Sequence, residues 1–456
     1  MTWKKTFIVT LSSLLLMQTL LLSTPASASP AHAVPPQSVA DTVYGQNVDE
    51  ANVDALATPM RSFPQHVQYA SGIIKPNHVS QSQLDQEVRK LYNQWKSTFL
   101  TKNPYNGKQY FVHYNLNGAI KPTDIITTSE AHGYGMIATA YMAGHDPEAK
   151  KLFDGLYHYY RAHPSQNHPD LMAWQQANRG GKIIDVGGTN SATDGDMDIA
   201  YALLLAEKQW GNRTGIDYGR QARQVIKAIM QKDVHQTNNF LKLGDWAQDS
   251  DPKYGKGTRP ADFMLQHLKA FQSATGDSRW NNVIDATHKA MKDLSEGFAP
   301  QTGLLPDFAI LENGKWKPSP PSYLEKAEDP LYYYNSARTP WRLGTDVVLT
   351  GDQRYAQQLH NLNGWIMWRT GSNPALINGG GYNLDGNEYI KSTKYYDLTF
   401  TAPFAVSAMI SGANQDWLNK LWSNVTTQPT SRSNYFGDSI RLLSVIVVSG
   451  NWWSPN

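Results

Sequence analysis

Residues 191–206 read Ser191-Ala192-Thr193-Asp194-Gly195-Asp196-Met197-Asp198, then Ile199-Ala200-Tyr201-Ala202-Leu203-Leu204-Leu205-Ala206. Three carboxylates at alternate positions stand at the mouth of an apolar helix. Acids are stabilised there, because the first turn has unsatisfied N–H groups and the positive end of the dipole. Asp194 and Asp196 flank a glycine, which predicts a tight turn and a close approach of other backbone. A plain helix cap accounts for such a block as readily as a site does. The rest of the chain decides.

Outward from this block the helical pattern repeats. The first firm helix covers about 81–99: Ser80 and Gln83 have capping-box spacing, and Leu84, Val88, Leu91, Trp95 and Phe99 form one stripe. Further helices are expected at about 129–143, 147–161, 195–209, 216–232, 261–274, 279–295, 337–350, 352–370, 400–411, 414–424 and 437–448. Gly211, Gly276 and Gly351 stand where helix stops belong. Strand-like pieces are few: Leu304–Leu311 and short runs near 110 and 182. Paired helices with long aromatic loops and no strict repeat point to a closed ring of helical hairpins, with the loops gathered at one end.

The chain has 456 residues, of which 40% are hydrophobic and 18% charged, a globular balance. Its 14 Trp and 24 Tyr are a rich supply; a core absorbs some of them, and sugar rings stack on aromatic faces. The N-terminus has the parts of a signal peptide: Lys4 and Lys5, an apolar run Phe7 to Leu22, and small-x-small sites at Ala26-Ser27-Ala28 and Ala31-His32-Ala33. Export from a bacterial cell is expected. Residues 34–60 include Pro35 and Pro36, hold four acids and no Lys or Arg, and read as a disordered linker or pro-segment. Residues 61–456 read as one catalytic domain. Removing residues 1–33, with two lysines and no acids, leaves 39 basic against 39 acidic residues. That balance argues against nucleic acid as partner. With no cysteine, disulfides, zinc–thiolate sites and a cysteine nucleophile are excluded.

A second acid, Glu130, opens a helix in Thr127-Thr128-Ser129-Glu130-Ala131-His132-Gly133-Tyr134-Gly135-Met136. The plain reading is an acid stabilised by the helix dipole. The functional reading is a proton donor, since a carboxyl buried near aromatics and another carboxylate has a raised pKa. His132 reads as a satisfied hydrogen-bonding group. A third region, Pro318–Arg342, places Glu325, Glu328 and Asp329 on a proline-bounded loop. It continues through Tyr332-Tyr333-Tyr334-Asn335 into a helix bearing Arg338 and Arg342. The plain reading there is a solvated charged loop followed by an aromatic core stripe.

Three motifs together, Ser-Glu-x-x-Gly-Tyr-Gly-Met, Ala-Thr-Asp-Gly-Asp-x-Asp-Ile-Ala-Tyr and Tyr-Tyr-Asn-x-x-Arg-x-Pro-x-Arg, resemble glycoside hydrolase family 8. That family includes endoglucanases, lichenases, chitosanases and reducing-end xylanases. The resemblance runs from about Phe63 to Trp453. It implies an all-α (α/α)6 barrel and inverting endo-hydrolysis of internal β-1,4 bonds in β-glucan or chitosan. By the same resemblance Glu130 is the general acid. Asp194 holds and distorts the cleaved sugar, and Trp174 and Trp246 are sugar platforms. Tyr334 and Arg338 lie close to the catalytic water. Asn335 stands where the larger branch of the family has its base Asp. In a second branch the base is a Glu from a loop just upstream, which here gives Glu325, with Glu328 as competitor.

The implied partner is a β-linked polysaccharide met by a monomer. No cofactor, metal, nucleic acid or membrane is expected after signal removal. Three rivals have distinct signatures. A non-catalytic β-glucan-binding protein would hold oligosaccharide without releasing reducing ends. A metal site at Asp194, Asp196 and Asp198 has EF-hand spacing but Ile199 and Leu205 at the sixth and twelfth places. A structural wall protein would carry repeats or an anchoring module, and neither is found.

Overall fold

The computed structural model describes residues 58–114, 125–212, 215–389 and 394–456. The expected signal peptide, and all but the last three residues of the expected linker, lie outside them. Twelve α-helices follow in order. They are α1 (Gln81–Phe99), α2 (Ser129–Tyr141), α3 (Ala149–Ala162), α4 (Thr193–Trp210), α5 (Tyr218–Lys232) and α6 (Leu265–Thr275). Then come α7 (Arg279–Phe298), α8 (Thr339–Thr350), α9 (Ala356–Thr370), α10 (Leu398–Ala408), α11 (Gln415–Thr427) and α12 (Tyr435–Val448).

Two kinds of helix alternate. The even-numbered ones are buried on nearly every side: α4 buries Thr193 through Ala206, and α10 buries all its residues. A helix apolar all round needs neighbours all round. The odd-numbered ones bury a single stripe, as α5 does with Ala222, Val225, Ile226 and Ile229. The sequence therefore sorts its helices into an inner and an outer ring. Inner neighbours touch in the order α2, α4, α6, α8, α10, α12 and back to α2, so the ring closes. The molecule is an (α/α)6 barrel.

The C-terminal residues lie within this ring. Trp452 is fully buried, with its ring 4.4 Å from Tyr141 of α2 and 6.3 Å from Tyr201 of α4 and Trp341 of α8. Its indole N–H donates to Gln266 of α6 at 3.0 Å. Deeper charge is cross-linked: Asp198 accepts from Arg342 at 2.9 and 2.6 Å and lies 2.9 Å from His267 Nε2, tying α4, α6 and α8 together.

Helix α1 matches its expected range, and both halves of its Ser80–Gln83 capping box are present. Several expected ends move. Asp352 turns the chain by accepting from Arg354 N, so α9 starts at Ala356 rather than 352. Residues 260–262 form a separate 3₁₀ turn, so α6 starts at Leu265 rather than 261. The expected strand 304–311 pairs only over Ala309–Glu312, against Lys315–Pro318 and Gly257–Thr258. A three-stranded antiparallel sheet comprises β1 (Ile125–Thr128), β2 (Gln175–Arg179) and β3 (Lys182–Asp185), with β2 central; β3 is the run expected near 182, while β1 and β2 were not expected. It places the start of α2, because Thr128 ends β1 and caps α2 by accepting from Ala131 N at 3.2 Å.

Candidate active site

The N-termini of the inner helices converge at one end. Glu130 lies in the first turn of α2, Asp194 in the first turn of α4, Tyr435 at the start of α12, and Arg338 just before α8. Glycines permit the approach. A Cβ on Gly195 would lie 2.6 Å from Ser129 Cβ, and one on Gly133 would lie 2.6 Å from Asp198 Cβ. Gly195 is inside the helix, so the expected tight turn is absent while the expected close approach is present.

The three aspartates of the opening block diverge, as helical spacing requires. Asp194 faces Arg338, with Nη1 to Oδ2 at 2.8 Å, and Arg259 at 3.4 Å. Asp196 turns to the Met172 N–H at 2.9 Å. Asp198 goes to Arg342 and His267. They serve three environments, and the alternate spacing builds no common cradle.

Arg338 is the hub. Its side chain is fully buried, and Nη1 donates to Glu130 Oε2 at 2.7 Å and Asp194 Oδ2 at 2.8 Å, while Nη2 donates to Asn335 Oδ1 at 2.9 Å. The Tyr435 hydroxyl donates to Glu130 Oε1 at 2.7 Å. Asn335 Nδ2 in turn donates to Glu325 Oε2 at 3.1 Å. Glu130, Arg338, Asn335 and Glu325 thus form one continuous polar chain. Burial pushes Glu130 up to about 7, against the pull of Arg338 and with the push of Asp194. Burial would raise Asp194 too, but Arg259 and Arg338 bring it down to about 2. Below about pH 7 the two neighbouring carboxyls therefore differ, Glu130 mostly protonated and Asp194 ionised, the pattern of a proton donor beside a fixed charge.

The loop carrying Glu325 is firmly built. Asp329 accepts from the N–H groups of Leu324, Glu325 and Lys326 at 2.7, 3.0 and 2.9 Å. Tyr323 anchors it by donating to Lys253 O at 2.8 Å and packing into a small second core with Leu243, Phe308 and Ile310. Asp307 fixes the next turn by accepting from Tyr333 N, Ser336 N and the Ser336 hydroxyl at 3.1, 2.7 and 2.8 Å. Glu328 accepts from Leu331 N through its backbone carbonyl at 2.8 Å, while its carboxylate has no hydrogen-bond or ion-pair partner among the described residues. The Tyr334 hydroxyl does not join this chain of bonds: it donates to Asp397 at 2.9 Å and lies 3.0 Å from the Tyr395 hydroxyl.

Trp174 and Trp246 have no side-chain hydrogen bond to this network. Trp174 is half-buried, its indole donating to Gly187 O at 2.5 Å and its carbonyl accepting from Ser129 N at 2.8 Å. Trp246 packs edge-on to Tyr254 at 5.2 Å. His132 is a core group: its Nε2 lies 2.6 Å from Leu156 O, and burial brings it down to about 4. Tyr435, Arg259, Asp262 and Asp307 were not singled out in the sequence. Tyr435 is 305 positions from its partner Glu130, and no local pattern marks such a contact. Asp262, pushed up to about 7 by burial, sits behind Arg259 at 3.4 Å.

The closed helical barrel thus gathers Glu130, Asp194 and the loop glutamate Glu325 at one end, and the protein is a glycosidase. The chain belongs to glycosyl hydrolases family 8, whose sequence pattern matches residues 62–450. It is 50% identical over 400 residues to a beta-glucanase of Niallia circulans, spanning 88% of this chain and 93% of that one. It is 38% identical over 411 residues to an endoglucanase of Bacillus sp. strain KSM-330, spanning 89% and 85%. The solved structure of a beta-1,3-1,4-glucanase from Paenibacillus sp. X4 superposes with a TM-score of 0.81 at 48% identity, covering 87% of this chain and all of that one. A reducing-end-xylose releasing exo-oligoxylanase shares the fold at 17% identity, with a TM-score of 0.66 and coverage of 82% and 95%.

Proposed function

We propose that the protein is an exported, monomeric, inverting endo-β-glucanase that cuts internal β-1,4 bonds, with mixed-linkage β-glucan as preferred polymer. One observation carries the mechanism. Glu130 holds a proton to about pH 7 at one end of a hydrogen-bonded chain whose other end is the Glu325 carboxylate. Glu130 gives its proton to the glycosidic oxygen as the bond from C1 to that oxygen breaks. Glu325 takes a proton from a water that forms the new bond to C1 on the opposite face. Asp194, kept ionised by two arginines, stabilises positive charge developing on the ring. Asn335 aims Glu325, and Arg338 links Glu130 to Asp194 by donating to both. Trp174 and Trp246 receive sugar faces, and Tyr334 shapes the wall beside the water. The two catalytic carboxyls of an inverting enzyme stand about 6.5–9.5 Å apart, which leaves room for that water.

The substrate reading is supported by the names of the two relatives near 50% identity, a beta-glucanase and a beta-1,3-1,4-glucanase. The near-zero charge of the chain after residue 33 favours a neutral glucan over cationic chitosan. Export is supported by the basic, apolar and small-residue parts of residues 1–33. The test is reducing-end release from lichenan, carboxymethylcellulose, xylan and chitosan side by side. Lichenan is expected to lead, and chitosan in first place contradicts the reading. Glu130→Gln and Glu325→Gln should each lower turnover by roughly 10²–10⁴-fold with unchanged folding. Glu328→Gln should stay within a few-fold of wild type; a dead Glu328→Gln beside an active Glu325→Gln moves the base to Glu328.

A further inference from the structure

Eight large hydrophobic side chains are exposed among the described residues, and four of them, Trp368, Leu376, Tyr389 and Tyr395, fall within 368–395. Single exposed apolar residues are ordinary, but a concentration of them marks an interaction surface. Trp368, in the last turn of the outer helix α9, is the most open at 77%. Among the described residues, no ring pairing or side-chain hydrogen bond occupies its indole.

The surface is built rather than loose. Arg369, next to Trp368, pairs with Glu388 at 3.5 Å, and Lys394 pairs with the other carboxylate oxygen at 3.3 Å. Gly379 N donates to Tyr395 O at 2.9 Å, and Tyr389 N donates to Gly381 O at 3.2 Å. A Cβ on Gly379 would lie 2.5 Å from the Tyr395 ring. These links tie the end of α9 to both tyrosines. The ridge also adjoins the catalytic end, because the Tyr395 hydroxyl is 3.0 Å from that of Tyr334, the neighbour of Asn335. The acid beneath the ridge, Glu388, is buried and matched by two cations, which suits an uncharged polymer rather than a polycation.

We propose that Trp368 and Tyr389 form a second glucan-binding surface on the rim of the barrel, where a neutral β-glucan chain lies outside the catalytic residues. The C–H faces of β-linked glucose rest on the electron-rich ring faces. The inference rests on the glucanase reading, and its test separates the two. In affinity electrophoresis through lichenan, Trp368→Ala should weaken retention by roughly three- to tenfold, the scale of one aromatic contact, and Trp368→Phe should restore most of it. Turnover of a short mixed-linkage oligosaccharide should stay within about twofold, since the ridge lies outside the reacting centre. Unchanged retention overturns the proposal, as does an equal loss on the short substrate or equal retention in a chitosan gel. A change in sedimentation of Trp368→Ala also overturns it, making the ridge a self-association surface. A wild type that cleaves no β-glucan oligosaccharide overturns both readings and is seen in the oligosaccharide arm alone.

Discussion

Glu130 is an acid whose burial works against its own ionisation. Its carboxyl titrates at about 7, and only the protonated form donates. Above that pH kcat/KM should fall about tenfold per unit. Tyr435→Phe deletes a hydroxyl that favours the ionised form, so the alkaline limb should move upward by about one unit. A limb that stays in place denies Tyr435 its role. Stability follows the same titration. An acid raised from 4.5 to about 7 costs the folded state stability as pH rises through that window. Between pH 4.5 and 8, wild type should lose about 3 kcal/mol relative to Glu130→Gln in urea denaturation. Equal slopes contradict the raised titration.

At the scale of elements, two helix tips meet because neither has a side chain in the way. Alanine normally stabilises a helix interior by about 1 kcal/mol over glycine. On α4 the sign should invert: the new Cβ of Gly195→Ala lies 2.6 Å from Ser129 Cβ, so a loss of about 1–3 kcal/mol is expected with reduced turnover. Gly364→Ala on α9 meets nothing within 4 Å and should gain about 0.5–1 kcal/mol. Thermal unfolding of the two variants reads both signs. The helices were legible in the sequence because their stripes and stops are local, as with Leu84 to Phe99 behind Ser80. Of the short strands, those near 110 and 182 were legible and β2 was not: it reads Gln175-Gln176-Ala177-Asn178-Arg179, with no alternation, and exists because β1 and β3 pair with it. Glu130, Asp194, Arg338, Asn335 and Glu325 come together in space as the motifs suggested. Tyr435 and Arg259 join through tertiary contacts that no spacing encodes.

For the molecule as a whole, the barrel is a ring that needs a seal. Trp452 touches four inner helices from the end of the chain. Trp452→Ala should lower stability by about 3–5 kcal/mol, measured by chemical denaturation, and a loss under 1 kcal/mol contradicts that role. The ring also sets the reaction geometry. It brings the α2, α4 and α12 tips to one end, and the loop over them supplies Glu325. In the proposed mechanism, water activated by Glu325 attacks opposite the face where Glu130 protonates the leaving oxygen. The most direct measurement is proton NMR of lichenan during the first minutes of hydrolysis. The account predicts that the α-anomer of the new reducing end appears first and then mutarotates; a β-anomer appearing first would show retention and contradict it.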